Sequence, residues 1–132
     1  MSTPSQLLQD YLRFVSEGKA QQAFELFAED GAIELPYLNS IGAPHRWAGK
    51  ETLQAFFKGF PASFPNFHFK DIVIHIETDT QAFGEYHAEA TRNGQPYQQH
   101  YMGRLVAENG KIKLLREALD MSQVINTAPK AK

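Results

Sequence analysis

The stretch FGEYHAEATRNGQPYQQHYMGRLVAENGKIKLLREALDM, residues 83–121, decides the fold of this chain. It contains two Asn-Gly pairs, Asn93-Gly94 and Asn109-Gly110, which separate three runs rich in aromatic and branched residues. Asn-Gly between such runs is the strongest short-range signal for a β-hairpin. We therefore predict a three-stranded antiparallel meander.

Turn length sets the register of this meander. If each turn has three residues and ends on a left-handed glycine, the loops are residues 92–94 and 108–110. We favour this interpretation because a bulged glycine suits a strongly twisted sheet. Counting back with a period of two puts Glu85, Tyr101 and Glu117 abreast on one face, with His87, Gln99 and Leu119 beside them. Two-residue turns of the primed type would slip each pairing by one and break this row.

The predicted row is more polar than a protein core tolerates, unless its groups line a cavity or bond one another. It is therefore the candidate site. One alternative is that the row is the solvated side of a half-exposed sheet, which antiparallel sheets commonly have. Another is that Glu117 is an exposed strand glutamate, or one that pairs with Arg104 or Arg116.

Length and composition narrow the class of protein. A chain of 132 residues predicts a single domain, assigned to residues 1–126, with a disordered tail at residues 127–132. Cysteine is absent, which excludes disulfides and thiolate chemistry. The formal charge of -2 argues against nucleic-acid binding. Without a membrane-spanning apolar run or a signal-peptide pattern, we expect a cytoplasmic protein with no membrane partner.

Upstream of the meander, apolar periodicity predicts three helices, a short strand and a long strand at residues 67–77. The first helix follows a capping-box start at residues 3–6, the second covers residues 19–28, and the third ends at Pro61. A change of phase near Lys70-Asp71 predicts a bulge in the long strand. The predicted class is α+β, with three N-terminal helices packed on a strongly curved, mainly antiparallel sheet that encloses a conical cavity.

The irregular segment between Pro36 and Gly49 carries Tyr37, His45 and Trp47. A loop of this length is more often functional than idle, and its large aromatic side chains could cover a pocket. We therefore predict that these three residues contact substrate, together with Phe56 of the third helix and with Gln99 and Leu119 of the polar row. The alternative is that Tyr37 and Trp47 only pin the loop to the body of the protein.

Several motifs resemble those of a known superfamily. The segment His45-Arg-Trp-Ala-Gly-Lys-Glu51 resembles an x-G-[KR]-E entry to the third helix, and Gly94-Gln-Pro-Tyr97 with Gln99 and Tyr101 resembles a G-x-x-Y-x-N-x-Y strand. Arg116-Glu-Ala-Leu-Asp120 resembles R-E-[YF]-x-D. On these motifs the chain resembles the SnoaL-like branch of the NTF2-like superfamily, nearest to the phenazine-biosynthesis A/B proteins.

The resemblance implies a cone-shaped α+β barrel with a small-molecule cavity on the concave sheet face and a homodimer through the convex face. It also implies that the glutamate of the R-E motif, here Glu117, points into the cavity and acts as an acid and base. Two positions depart from the pattern, because Gln99 stands where asparagine is usual and Ala118 stands where an aromatic residue is usual. The resemblance therefore leaves the reaction open.

Two carboxyl groups in an apolar cone would have raised pKa values and could share a proton near neutral pH. We predict that Glu117 and Glu85 form this acid-base pair, with Tyr101 or His87 donating a hydrogen bond to an oxyanion. The predicted function is a cofactor-independent isomerase, cyclase or hydratase that acts on a small apolar or aromatic ring compound. The alternative is a ligand-binding or dimerising scaffold without chemistry.

No metal is predicted, because no two histidines stand at a recognised ligand spacing. The weaker alternative is a metal site built from the strand histidines His68, His75, His87 and His100. Asp120 is predicted on the opposite strand face from Glu117, although a bulge near the end of the strand could bring it inward.

Overall fold

One six-stranded sheet with helices on one face forms the protein, and the computed structural model describes residues 1–129. The helices are α1 (Pro4–Ser16), α2 (Ala20–Glu25), α3 (Lys50–Ser63) and α4 (Met121–Asn126), with a 3₁₀ helix at Pro36–Ile41. The strands are β1 (Phe27–Glu34), β2 (Arg46–Ala48), β3 (His68–Glu77), β4 (Gln81–Arg92), β5 (Gln95–Glu108) and β6 (Lys111–Leu119). Their order is β2-β1-β6-β5-β4-β3, and β1 pairs with β6 in parallel while the other pairs are antiparallel. The predicted α+β class is therefore confirmed.

The first helix begins with the capping box that the sequence predicts. The Gln6 amide donates to Thr3 Oγ1 at 3.2 Å, and the Thr3 amide donates to Gln6 Oε1 at 2.9 Å. Pro4 occupies the start of the helix, where its missing N–H costs nothing. Leu8 and Leu12 lie on the stripe that faces the sheet and are fully buried. We call the sheet face that α1 covers the inner face and the opposite side the outer face.

Both Asn-Gly pairs form two-residue turns. The φ angles are 52° and 75° at Asn93 and Gly94, and 53° and 74° at Asn109 and Gly110. Asparagine tolerates the left-handed region, so each pair supplies the two positive φ angles of a primed turn, whose twist matches that of the strands. The predicted three-residue turns are therefore wrong.

The shorter first turn changes which side chains of β4 face inward. Tyr86 pairs with Tyr101, and both are buried on the inner face. Glu85 pairs with Met102, whose side chain is exposed on the outer face. His87 pairs with His100 on that same outer face. The predicted row of Glu85, Tyr101 and Glu117 therefore does not form.

A bulge in the second hairpin restores part of the prediction. The register shifts between Val106 and Ala107, so that one extra residue of β6 is left out of the pairing. Beyond this bulge Gly103 pairs with Glu117, and Tyr101 pairs with Leu119. Glu117 therefore lies on the inner face with Tyr101, as predicted, but it is displaced by two residues along the strand.

The bulge predicted near Lys70-Asp71 is present. The register of β3 shifts between Lys70 and Val73, and Asp71 has a φ of 54°. The third helix, by contrast, continues through Pro61 to Ser63 instead of ending at the proline. A proline in the last turn of a helix disturbs few hydrogen bonds, which explains why it does not stop the helix there.

The end of the described chain is more regular than expected. Asp120 caps the unpredicted helix α4, because its side chain accepts a hydrogen bond from the Ser122 amide at 2.9 Å. Thr127 is buried, and its hydroxyl accepts a hydrogen bond from Arg92 Nη1 at 3.0 Å. The packed part of the chain therefore extends past the predicted boundary at residue 126. The rest of the predicted tail, residues 130–132, lies outside the described residues.

Candidate active site

A buried carboxyl group lies at the centre of the inner face. Glu117 is 4% exposed, and the hydroxyl group of the fully buried Tyr86 donates a hydrogen bond to its Oε2 atom. Gly103, the cross-strand partner of Glu117, leaves room for this contact. A Cβ atom at position 103 would lie 2.1 Å from the Tyr86 hydroxyl oxygen. The glycine therefore allows the phenol to reach the carboxyl group.

Burial sets the protonation of this pair. It raises the pKa of Glu117 to about 7, and the hydrogen bond from Tyr86 acts in the opposite direction because it stabilises the charged form. Burial also raises the pKa of Tyr86, and the charge of Glu117 adds to this effect. Tyr86 therefore keeps its proton and donates it to the hydrogen bond. Glu117 can be either protonated or charged near neutral pH.

Other phenols surround the same carboxyl group. The ring of Tyr101 lies 5.6 Å from that of Tyr86, measured between centroids. Burial raises the pKa values of Tyr11 and Tyr101, and the negative charge of Glu117 contributes to both shifts. These hydroxyl groups are therefore neutral hydrogen-bond donors at any physiological pH.

An apolar cavity of about 570 Å³ opens beside this cluster. Its lining consists of Leu35, Leu38, Ile41, Ala43, Pro44, Trp47, Phe56, Phe60, Phe64, Arg92, Tyr97, Tyr101, Leu119, Val124, Ile125 and Ala128. These residues come from the 3₁₀ helix and the segments beside it, from α3, from the sheet and from α4. A cavity of this size, lined mainly by apolar side chains with a few polar groups, is typical of small-molecule sites.

Tyr101 joins the buried carboxyl group to the cavity. It lines the cavity, and it stands on the inner face two residues along β5 from Gly103, the cross-strand partner of Glu117. Glu117 itself does not belong to the cavity lining. Residue 117 borders a depression on the outer face, while its carboxyl group is directed at Tyr86. The acid therefore lies behind the cavity wall, next to Tyr101.

Glu85 and His87, which were predicted to join this site, lie on the outer face. Glu85 Oε2 is 2.8 Å from His75 Nε2, and Glu85 Oε1 is 3.1 Å from His100 Nε2. These contacts with His100 and His75 hold the pKa of Glu85 below its ordinary value. His87 Nδ1 lies 3.2 Å from Asp71 Oδ2. The predicted coupled pair of Glu117 and Glu85 is therefore not present, because the two-residue turn reverses the faces of β4.

The predicted substrate contacts divide into two groups. Trp47, Phe56 and Leu119 line the cavity, as does the predicted donor Tyr101. Tyr37 and His45 are outside the lining. Tyr37 is 57% exposed and borders the outer depression, and the backbone carbonyl of His45 accepts a hydrogen bond from the Leu35 amide at 2.8 Å.

Gln99 is also outside the lining, and its bonds indicate a supporting role. It is 3% exposed, and its Nε2 atom donates to the Tyr97 hydroxyl at 2.8 Å and to the Asp120 carbonyl at 3.0 Å. The Asp120 amide donates to Gln99 Oε1 at 2.5 Å. The amide group of Gln99 therefore links β5 to the start of α4 and orients a phenol of the cavity wall.

Sequence reasoning missed three parts of the site: Tyr86, Arg92 and α4. The Asn-Gly pairs carried the signal for Tyr86, because the two-residue turn that they favour most would have placed it opposite Tyr101. Arg92 was assigned to a turn, and the six residues of α4 are too few to show a periodic pattern.

The described residues also bear on metal binding and on membrane insertion. Within residues 1–129, no group of three or more His, Asp and Glu side chains is arranged to hold a metal ion. Over the same range, no helix is long and apolar enough to cross a membrane.

Comparison with known proteins identifies the family. An uncharacterized PhzA/B-like protein of Pseudomonas aeruginosa is 31% identical over 115 residues, which cover 85% of this chain and 80% of the relative. The crystal structure of a proposed isomerase from Bacillus subtilis superposes with a TM-score of 0.83 at 21% identity, covering 94% of this chain and 91% of that one. A proposed polyketide cyclase from Xanthomonas campestris gives a TM-score of 0.79 at 20% identity, with 96% of both chains covered. At these identities the two structures show the shared fold. Residues 8–115 match the sequence model of the SnoaL-like domain, and the chain belongs to that family.

Proposed function

We propose that the protein is a cofactor-independent acid-base enzyme that isomerises, cyclises or hydrates a small, mostly apolar ring compound. The observation that carries this proposal is the buried Glu117, whose pKa of about 7 lets it take up and release a proton near neutral pH. Proteins with the same fold include a proposed isomerase and a proposed polyketide cyclase. Family membership supports a ligand in the cavity, and the acid supports chemistry there.

The proposed step is a proton transfer between two carbon atoms of a bound ketone. Charged Glu117 takes a proton from the carbon next to the carbonyl group, and the carbonyl oxygen becomes an enolate oxygen. The hydroxyl of Tyr101 donates a hydrogen bond to that oxygen. If the ketone has a β,γ carbon-carbon double bond, the enolate extends over that bond, and protonated Glu117 returns the proton to the γ-carbon. The double bond then lies next to the carbonyl group, and no atom is gained or lost. Because Glu117 lies behind the cavity wall, its carboxyl group reaches the substrate carbon after a shift of the Tyr101 ring, and the Tyr101 hydroxyl keeps its proton throughout.

The test is exchange of carbon-bound hydrogen in D2O, followed by proton NMR with 1-tetralone as an apolar ring ketone. The wild-type protein is expected to accelerate exchange next to the carbonyl group, and Glu117→Gln is expected to lose at least about a hundredfold of that rate. Glu85→Gln is the matched control, because it removes a carboxyl group from the outer face of the same sheet, and it should exchange like wild type. Equal rates in wild type and Glu117→Gln would contradict the proposed role of Glu117.

The pH profile gives a second test of the same group. The exchange rate should rise with pH through about 7, where Glu117 becomes charged. In Tyr86→Phe this midpoint should move to higher pH, because the hydrogen bond that stabilises the charged carboxylate is removed. A midpoint that stays in place would mean that another group controls the rate.

A ligand-binding protein without chemistry is the second candidate, and the position of Glu117 favours it. The carboxyl group is outside the cavity lining, and the lining is almost entirely apolar. A wild-type protein that binds 1-tetralone in the cavity but does not exchange its protons would support this candidate.

A homodimer through the outer face is also proposed. Three apolar side chains of β3 and β5 are about half exposed: Val73, Ile76 and Met102. A second copy of the chain could cover them. Sedimentation velocity of the full chain tests this proposal, and a monomer at all concentrations would contradict it. The cytoplasmic location and the absence of a nucleic-acid partner stay predictions from the sequence.

A further inference from the structure

Arg92 places a positive charge in the wall of an otherwise uncharged cavity. Among the described residues that line the cavity, it is the one with a charged side chain. It stands at the last position of β4. Its guanidinium carbon lies 5.8 Å from the centre of the Phe64 ring, which also lines the cavity.

The guanidinium group is held in place from one side. Its Nη1 atom donates to the Val124 carbonyl at 2.8 Å and to the Thr127 hydroxyl at 3.0 Å. Within residues 1–129, the Nε and Nη2 atoms make no hydrogen bond, and no carboxylate lies within 4.0 Å of the group. Two adjacent donors of a planar fork therefore remain available on a side chain whose orientation is already fixed.

The side chains around this charge are mostly apolar. Arg92 is half-buried, and it shares the cavity lining with Phe64, Tyr97 and Val124. A half-buried cation among apolar side chains gains most from an anion that can accept two parallel hydrogen bonds. A carboxylate has that geometry.

We propose that Arg92 anchors a carboxylate group of the ligand, so that the cavity selects apolar or aromatic ring compounds that carry a carboxylic acid. The ring then packs against Trp47 and Phe56, and the carboxylate accepts hydrogen bonds from Nε and Nη2 of Arg92. The inference rests on the proposed function only in its choice of cavity, because the anchoring needs no proton transfer by Glu117.

The experiment compares two fluorinated probes of nearly equal shape by fluorine NMR titration. They are 4-(trifluoromethyl)benzoate, which is charged at pH 7.5, and 4-(trifluoromethyl)benzamide, which is neutral. The wild-type protein is expected to bind the benzoate at least about tenfold more tightly than the benzamide, as a charge-assisted hydrogen bond to arginine would give. Equal affinities of the two probes for wild type would overturn the proposal.

Two charge-removing variants locate the effect. In Arg92→Gln the preference for benzoate should disappear while the affinity for the benzamide changes less than about twofold. Arg104→Gln removes a matched positive charge from the exposed outer face and should keep the full preference. If Arg104→Gln lost the preference as well, the overall charge of the protein would explain it and the anchor would be refuted.

A third variant separates the anchor from the support of α4. Thr127→Val removes one hydrogen bond that joins Arg92 to the end of the chain but keeps the guanidinium group, so the benzoate preference should remain. A parallel loss of affinity for both probes in Arg92→Gln would mean that the residue shapes the cavity wall without binding the anion, and this would overturn the proposal.

The same titrations keep this inference distinct from the proposed function. Glu117→Gln should retain the benzoate preference, because it leaves Arg92 untouched. Retained preference together with unchanged proton exchange in Glu117→Gln would refute the acid-base role alone. A lost preference in Arg92→Gln is required for the anchor whatever the exchange rates are.

Discussion

Glu117 and Glu85 lie on two strands of one sheet, separated by a single strand, but they face opposite sides of it. Glu117 is 4% exposed, its one hydrogen-bond partner among the described residues is Tyr86, and burial raises its pKa to about 7. Glu85 lies on the outer face, and its contacts with His100 and His75 lower its pKa. The pKa values of two glutamates are therefore shifted in opposite directions within one small protein.

The difference shows that the face of the sheet, and not the residue type, decides which glutamate can act as an acid and base near neutral pH. Desolvation favours the neutral form of a carboxyl group, and partners that can carry positive charge favour the charged form. A proton-transfer group has to titrate near the pH at which it works. Only Glu117 of the pair meets that condition.

The largest expected effect comes from filling the space beside Glu117. A Cβ atom in Gly103→Ala would lie 2.1 Å from the Tyr86 hydroxyl oxygen and 3.0 Å from the ring carbon that carries it, so the phenol has to move. We expect a loss of about 4 kcal/mol in unfolding free energy, from overpacking and from a buried carboxyl group left without its donor. Urea denaturation at pH 7 measures this loss.

Gly59→Ala in α3 is the matched control for that variant. Apart from its chain neighbours and the backbone of its own helix, no described atom lies within 4 Å of a Cβ atom built at position 59. Alanine is the better helix former, so this variant should be stabilised by up to about 1 kcal/mol. A Gly103→Ala protein as stable as Gly59→Ala would contradict the tight contact between Tyr86 and position 103.

The second effect is the pH dependence of stability. The ordinary pKa of a glutamate is 4.5, and that of Glu117 in the folded protein is about 7. Between these values the folded state holds a proton that the unfolded state has released, so the stability of wild type falls as pH rises through this window and levels off above about 7. The shift corresponds to about 3 kcal/mol.

Glu117→Gln should remove this fall, because the glutamine stays neutral at every pH. Between pH 4 and pH 8.5, the melting temperature of the variant should therefore increase relative to that of wild type as pH rises. Parallel curves for the two proteins would mean that the carboxyl group is not buried in the folded state.

The smallest effect is expected at the outer glutamate, and its sign is opposite. The folded pKa of Glu85 is lowered, so its contribution is present above the unfolded value of 4.5 and is lost as pH falls through the lower folded value. Glu85→Gln should therefore differ from wild type mainly above pH 4.5, with the difference shrinking in acid. A gain in stability that grows toward pH 8 would contradict this assignment.

The parts of the fold that were predicted correctly depend on local sequence. The capping box at Thr3, the positions of both hairpins and the bulge near Lys70 are each encoded within a few residues. The assignment of Glu117 to the inner face was also correct. It succeeded because a bulge in β6 compensated for a turn that is one residue shorter than expected.

The parts that were missed depend on one local choice with distant consequences. A turn of two residues instead of three moved Glu85 and His87 to the outer face and brought Tyr86 beside Glu117. Tyr37 stands in the predicted loop but outside the cavity lining, because the 3₁₀ helix at Pro36–Ile41 places Leu38 and Ile41, three residues apart, on the side that lines the cavity. His45 is also outside the lining.

By itself the sequence determined the α+β class, the start of α1 and the family resemblance, since these follow from periodicity, capping and turn chemistry over short stretches. It also determined the order of the elements, except for β2, the 3₁₀ helix and α4. Tertiary structure alone decided that one glutamate became a buried acid and the other a surface carboxylate beside histidines. It also decided that Arg92 entered the cavity wall. Burial and pKa depend on which strands and helices cover a residue, and those neighbours can be distant in the chain, as Tyr11 is from Glu117.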